Sequence, residues 1–200
     1  MKILVVSQYY YPEPFRIHEI CEELVKRGNL VTVITGYPNY PEGEIYPEYL
    51  NRNANEVVNG VNIIRCRIRP RYKGNINLAL NYISFAVEAK KKIKKLKKKY
   101  DIIYVYQLSP ITMALPAIVY KKKNKIPLYL YCLDLWPESV RDVFTNKLNW
   151  IFLLIKKVSQ KIYRNADMIG VTSRSFFNYL INECNVDAKK IKYLPQHAED

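Results

Sequence analysis

The chain has 200 residues with 49% apolar side chains, ample for one packed domain, and its formal net charge of +14 calls for an anionic partner: nucleic acid, a phospholipid surface or a phosphorylated substrate. No uncharged apolar stretch reaches the roughly 20 residues that a bilayer-spanning helix needs, and the run at residues 3–6 is too short for the apolar region of a signal peptide. The chain therefore reads as cytoplasmic and non-spanning.

Residues 2–7 (KILVVS) are a short β-branched run of the kind that forms a buried parallel strand, broken by aromatic and proline residues at 9–14. A helix is predicted over 16–27, where Ile17, Ile20, Cys21, Leu24 and Val25 recur at three- and four-residue spacing and Gly28 follows a basic last turn. Residues 30–35 are a second strand, which completes a right-handed βαβ unit. Residues 36–43, with two prolines and two glycines, form a loop at the carboxyl end of that strand, where open α/β sheets bind ligands. Asn59-Gly60 between apolar runs predicts a hairpin whose second arm continues through Cys66 and Ile68.

A long helix follows over 75–99, with Leu78, Tyr82, Phe85, Ala89, Ile93 and Leu96 on its apolar face. Residues 101–106 are a strand, and Ser109 and Pro110 supply an N-cap and a first-turn proline for a helix over 111–123. Strands at 127–133, 167–171 and 191–194 alternate with helices at 148–164 and 173–184. This alternation predicts an α/β fold: a Rossmann-like, doubly wound, mostly parallel sheet with helices on both faces. One domain is expected over 1–194, with 195–200 as the start of a linker.

Cys21, Cys66, Cys132 and Cys184 lie far apart with no CxxC or Cys/His spacing, so neither a disulfide framework nor a metal site is predicted. The turn after the first strand contains no glycine, which argues against the G-x-G-x-x-G turn of NAD and FAD enzymes, and no Walker loop is present. No cofactor is expected. What that turn offers is three tyrosines at 9–11, the Glu13 carboxylate and the Arg16 guanidinium. Such groups stack on sugar rings, bind hydroxyls and bind phosphate respectively, although a stiff surface loop would look the same. The stretch 133–139 (LDLWPES) places Asp134 at a strand end beside Trp136, with Glu138 in the following turn. An acid there can orient a substrate hydroxyl, or Asp134 or Ser139 can simply cap a helix.

These segments carry a resemblance. Residues 1–13, His18-Glu19-Ile20, residues 26–36, Tyr37-Pro38-Asn39-Tyr40-Pro41-Glu42-Gly43 and Asp134-Leu135-Trp136-Pro137-Glu138-Ser139 resemble, in order, the N-terminal domain of family 4 retaining glycosyltransferases. The subgroup most similar is the one that assembles capsule, O-antigen and colanic acid. The resemblance implies half of a GT-B architecture, in which two Rossmann-like domains face a cleft. The acceptor sits mainly on the first domain and the sugar nucleotide mainly on the second, with retention of anomeric configuration and no metal. Glu13, Arg16, Asn39, Tyr40, Ser109, Asp134 and Glu138 are then the expected substrate-binding residues, and Asp134 is the candidate for catalysis. Two departures stand out: the first loop lacks the family's glycines, and Leu133 stands where many members have a histidine. His18 and His197 receive no catalytic role.

The densest charge is the block at 90–99, with eight lysines and no arginine. On a helix, Lys91, Lys94, Lys95 and Lys98 oppose the apolar stripe. An anionic membrane surface and a plain solvated face both fit this pattern, whereas nucleic acid usually recruits arginine and interleaved aromatics. The resemblance favours the membrane, because the family's acceptors are commonly polyprenyl-linked sugars at the inner membrane face. The expected partners are thus a nucleoside-diphosphate sugar, a lipid-linked saccharide acceptor and the anionic inner membrane surface, with no nucleic acid. The expected role is sugar transfer in surface polysaccharide synthesis, with little activity from this half alone. A separate membrane-anchoring subunit that recruits a partner chain carrying the donor-binding domain would have the same sequence features.

Overall fold

The computed structural model describes residues 1–52, 54–97, 99–143 and 149–196. Lys98 and His197 lie outside the described residues, as do positions 197–200 of the expected linker.

Eight strands form one sheet in the order β3-β4-β2-β1-β5-β6-β7-β8. They are β1 (Lys2–Val6), β2 (Leu30–Gly36), β3 (Asn55–Val58), β4 (Val61–Cys66), β5 (Ile102–Gln107), β6 (Leu128–Cys132), β7 (Met168–Val171) and β8 (Ile191–Tyr193). All neighbours are parallel except β3 and β4, which are antiparallel. The exception follows from the Asn59-Gly60 turn, whose residues both have positive φ (48° and 80°) and so can close a two-residue hairpin. Parallel pairs need crossovers, and helices supply them. The Rossmann-like, mostly parallel α/β architecture read from the sequence is the one observed.

The helices are α1 (Ile17–Lys26), α2 (Asn75–Lys94), α3 (Leu115–Asn124), α4 (Asn149–Asn165) and α5 (Ser175–Asn178), the last running into a π-helical turn at Tyr179–Glu183. Central strands bury both faces, which is why β1 alternates nothing: Leu4 and Val6 enter one core while Ile3 and Val5 enter the other. The first core gathers Phe85, Ala89 and Ile93 of α2, Ala117 of α3, Ile162 and Tyr163 of α4 and Leu180 of the π turn. The second holds Ile17 and Cys21 of α1 against Val31, Val33 and Ile63.

Two helices depart from expectation for identifiable reasons. α2 stops at Lys94 rather than running to Lys99, with the Lys95 N–H bonding back to Lys92 O. Between Ile93 and Tyr100 the sequence offers only Leu96 as an apolar residue, while lysines three and four apart repel, which disfavours a longer helix. The segment at 111–123 opens as a 3-10 turn over Ile111–Ala114, and α3 begins at Leu115. Pro116 cannot sit inside an α-helix begun at 111 but is tolerated in a first turn. The Ser109 side chain makes no cap; its hydroxyl is used elsewhere, as described next. Among the described residues no helix is long and apolar enough to cross a membrane.

Candidate functional site

The chain leaves β1 toward β2 on one side and enters β5 on the other, so the sheet order reverses between these two adjacent strands. That switch point opens a crevice at the strands' carboxyl ends. Gln8 and Gln107 lie there in continuation of the Val6–Val105 register, both fully buried. Gln8 Nε2 donates to Asn81 Oδ1 at 2.7 Å, and Gln107 Nε2 donates to the Asp134 carbonyl at 2.8 Å. Their side-chain Oε1 atoms receive no donor from the described residues.

The first loop and the loop after β2 are locked together by Glu13. Its carboxylate is buried and accepts from the backbone N–H groups of Tyr10 (3.1 Å), Asn39 (2.9 Å) and Tyr40 (2.9 Å). Burial raises this carboxyl to about 7 against the lowering effect of those three donors and of Arg65. Asn39 is also buried: its Nδ2 donates to Tyr37 O at 3.0 Å and its Oδ1 accepts from Asn81. Glu13 and Asn39 thus shape the crevice from behind. Tyr40 stands half-buried at the crevice, with its ring 5.1 Å from Phe15, 5.9 Å from Tyr9 and under the Arg71 guanidinium at 5.5 Å. Of the three first-loop tyrosines, Tyr9 and Tyr10 are buried and only Tyr11 is exposed.

The opposite wall is a compact polar cluster. Ser109 Oγ and Trp136 Nε1 both donate to Asp134 Oδ2, the latter at 3.0 Å, and Trp136 Nε1 also reaches Ser109 Oγ at 2.9 Å. Asp134 is half-buried, and its Oδ1 accepts nothing from a described residue, so the carboxylate is held at one oxygen and presents the other. Tyr82 of α2 joins the two walls. It meets Trp136 edge-on at 6.3 Å, its phenol and that of Tyr9 act on each other, and the charges of Arg71 and Asp134 both act on it. Burial raises its phenol above the usual range.

Two predicted residues act on other side chains. Arg16 precedes α1 and its charge acts on Tyr106, whose phenol burial raises to about 12. Glu138 accepts from Arg141 at 3.1 Å and adds to the upward shift that burial imposes on Tyr179. In the lysine block Lys91 pairs with Glu88 at 2.6 Å, while Lys94 and Lys95 are exposed at the far end of α2 from the crevice.

Sequence reasoning passed over Arg65, Asn81 and Arg71. Arg65 is wholly buried: Nε and Nη2 each lie 2.6 Å from Glu56 Oε1, Nη2 donates to Tyr11 O at 2.7 Å, and the guanidinium sits 4.6 Å from the Tyr49 ring centroid. The available signal was position: Arg65 follows Val61 and Ile63 at period two, and Asn81 precedes Phe85, Ala89 and Ile93 at period four. A polar residue in an inward register marks a network.

Three solved structures share the fold. The chain superposes on Anabaena HepE in complex with UDP-glucose with a TM-score of 0.54 and 12% identity over 98% of this chain and 43% of that one. The same protein with UDP gives 0.52 and 11% over 97% and 43%. The UDP-GlcNAc 2-epimerase from Methanocaldococcus jannaschii gives 0.53 and 16% over 96% and 45%. The chain thus spans less than half the length of each. No curated protein matches it in sequence. The family described as Glycosyltransferase Family 4 matches residues 15–196, a span that takes in Asn39, Tyr40 and the Ser109, Asp134 and Trp136 cluster, and the chain belongs to that family.

Proposed function

We propose that this chain is the acceptor-side domain of a retaining GT-B glycosyltransferase. The enzyme moves a sugar from a nucleoside diphosphate to a hydroxyl of a lipid-linked saccharide during surface polysaccharide synthesis at the inner face of the cell membrane. The glycosidic bond forms at the acceptor oxygen as the bond to the nucleoside diphosphate breaks. The observation that carries the reading is the Asp134 carboxylate, fixed at Oδ2 by Ser109 and Trp136 with Oδ1 presented beside an aromatic wall. A carboxylate so held orients a hydroxyl, and Tyr40 and Tyr82 offer faces to sugar rings. Arg71 beside them suits a phosphate of the carrier. Donor binding belongs to a second domain, in keeping with the glycine-free first loop and with the UDP-glucose bound by HepE, a protein more than twice as long. A second domain facing this crevice would close it against water, so the half alone has little activity.

The test is a titration of the Trp150→Phe chain, in which Trp136 is the remaining tryptophan, with undecaprenyl-pyrophosphate-linked sugars and with UDP-glucose. The saccharide is expected to change Trp136 emission, Asp134→Asn to abolish the change, and UDP-glucose to have no effect. Tight UDP-glucose binding with no saccharide response would overturn the assignment.

A further inference from the structure

The helical layer opposite α1 carries one surface pattern three times. On α2, Ile76, Ile83 and Val87 are exposed at 78%, 58% and 45%, and residues at these spacings lie on one line of a helix. The same line continues into Lys90 and Lys94, both exposed. On α4, Trp150, Leu153 and Leu154 are exposed at 65%, 51% and 56%, and their line continues into Lys157 and Lys161, also exposed. Between them α3 repeats the order in miniature, with half-buried Leu115 and Val119 followed by exposed Lys122. All three helices are crossovers between parallel strands and so run the same way, with their first turns at the crevice end of the sheet. The apolar part of each outer stripe is therefore near the crevice and the basic part is remote from it.

Leu115 of α3 packs against the first core, but neither core claims the exposed residues of α2 and α4, and α2 already buries Asn81, Phe85, Ala89 and Ile93 on its other side. The apolar stripe also borders a groove of about 490 Å³ in which Leu80, Ile83 and Val87 face the exposed Arg67 and Arg69, and the one carboxylate in its lining, Glu88, is paired with Lys91 at 2.6 Å. Apolar side chains bounded by cations on two sides match a bilayer with anionic headgroups, which offers hydrocarbon and negative charge together.

We infer that the outer stripes of α2 and α4 form an oblique membrane-docking face, in which Ile76, Ile83, Val87, Trp150, Leu153 and Leu154 enter an anionic bilayer and the distal lysines rest on its headgroups. This deepens the membrane part of the proposed function and rests on it. It also shifts the attachment from the lysine block to the crevice end of the helices. A footing on the lysines alone would hold the crevice a full strand length from the lipid, about 17–20 Å, whereas the apolar footing brings its mouth to the depth at which a lipid-linked saccharide emerges.

The test uses the full chain with vesicles of neutral phosphatidylcholine and of phosphatidylcholine with phosphatidylglycerol, at low and high salt. Wild type is expected to bind the anionic vesicles with a component that survives high salt. Emission from Trp150 should shift to the blue and be quenched by brominated acyl chains, and both signals should vanish in Trp150→Phe. The triple variant Ile76→Ser, Ile83→Ser, Val87→Ser should bind at least about tenfold more weakly and lose the salt-resistant component, whereas Lys90→Gln with Lys94→Gln should lose only the salt-sensitive part. Circular dichroism of each variant matching wild type confirms that these exposed changes leave the fold intact.

Binding that salt abolishes entirely, with no Trp150 response, would overturn the apolar footing and leave a lysine-only attachment. No vesicle binding at all would overturn membrane docking itself, while the saccharide titration with Trp136 would still report on the crevice. Concentration-dependent dimerisation that the triple serine variant abolishes, without vesicle binding, would assign the face to a second copy of the chain instead.

Discussion

The backbone N–H of Asn39 donates to Oε1 of Glu13 at 2.9 Å, so the loop after β2 is fastened to the loop after β1 through a buried carboxylate. Glu13→Gln would set an amide N–H against one of the three backbone donors and is expected to cost about 1–3 kcal/mol in urea denaturation. The pH dependence has a defined sign. Burial raises the folded carboxyl from 4.5 to about 7, so between those values the folded chain holds a proton that the unfolded chain has released. This group's contribution therefore weakens as pH rises through that window and levels off above it. Melting temperature measured from pH 4.5 to 8 should show the decline in wild type and lack that component in Glu13→Gln.

Arg65 is a cation with no solvent, tied to Glu56, to Tyr11 O and to the Tyr49 ring. Arg65→Met keeps much of the volume but leaves Glu56 without its closest charge partner and the Tyr11 carbonyl without that donor. A loss of about 1–3 kcal/mol is expected, read as a lower urea midpoint, because the Tyr11 carbonyl loses its donor while Glu56, one-fifth exposed, keeps Arg52 at 3.7 Å. Glu56→Gln should cost more, about 3–5 kcal/mol, since it leaves the wholly buried Arg65 guanidinium without its charge partner.

At the crevice, Ser109→Ala removes one of the two donors that fix Asp134, and Asp134→Asn removes the charge. Each is expected to weaken saccharide binding by about 1–3 kcal/mol in calorimetric titration while melting temperatures stay close to wild type. A drop in melting temperature matching the loss of binding would instead mark the cluster as a structural brace.

Gly170 in β7 lies under a tyrosine: a Cβ built there would stand 2.0 Å from the Tyr129 hydroxyl and 3.0 Å from its ring. Gly170→Ala is expected to destabilise by about 1–3 kcal/mol, because the ring must leave its place beside Tyr104, 5.4 Å away. Adding Tyr129→Phe removes the atom in closest conflict and should restore part of the loss, which a double-mutant comparison of urea midpoints would show.

The sheet and its crossovers were legible because parallel strands and amphipathic helices leave periodic traces that survive in one dimension. The hairpin at Asn59-Gly60 is the clearest case. The crevice was legible only in part. Ser109 and Asp134 are separated by 25 positions in the chain and joined by a hydrogen bond; Ser109 stood out as a helix N-terminus facing the cleft and Asp134 as an acid at a strand end. The clamping by Glu13 was not legible, since its donors Asn39 and Tyr40 become neighbours only when β2 lies beside β1. Arg71 gave no signal either: its position over Tyr40 depends on the path of an irregular segment after β4. The lysine block misled on helix length because charge says where solvent is and leaves open where a helix ends.

The pairing of β1 with β5 also sets a timetable. Lys2 and Asp101 bond to each other through backbone and side chain, at 2.8 and 2.6 Å, across 99 positions of sequence. At a synthesis rate of roughly 5–20 residues per second, the partner of the first strand emerges about 5–20 s after it. Until then Leu4, Val5 and Val6 have a neighbour on one edge only. Closure over so long a separation places the domain among folders governed by non-local contacts, slower than a helical bundle of equal stability. The strand that begins the fold is thus also the one whose shelter is completed late.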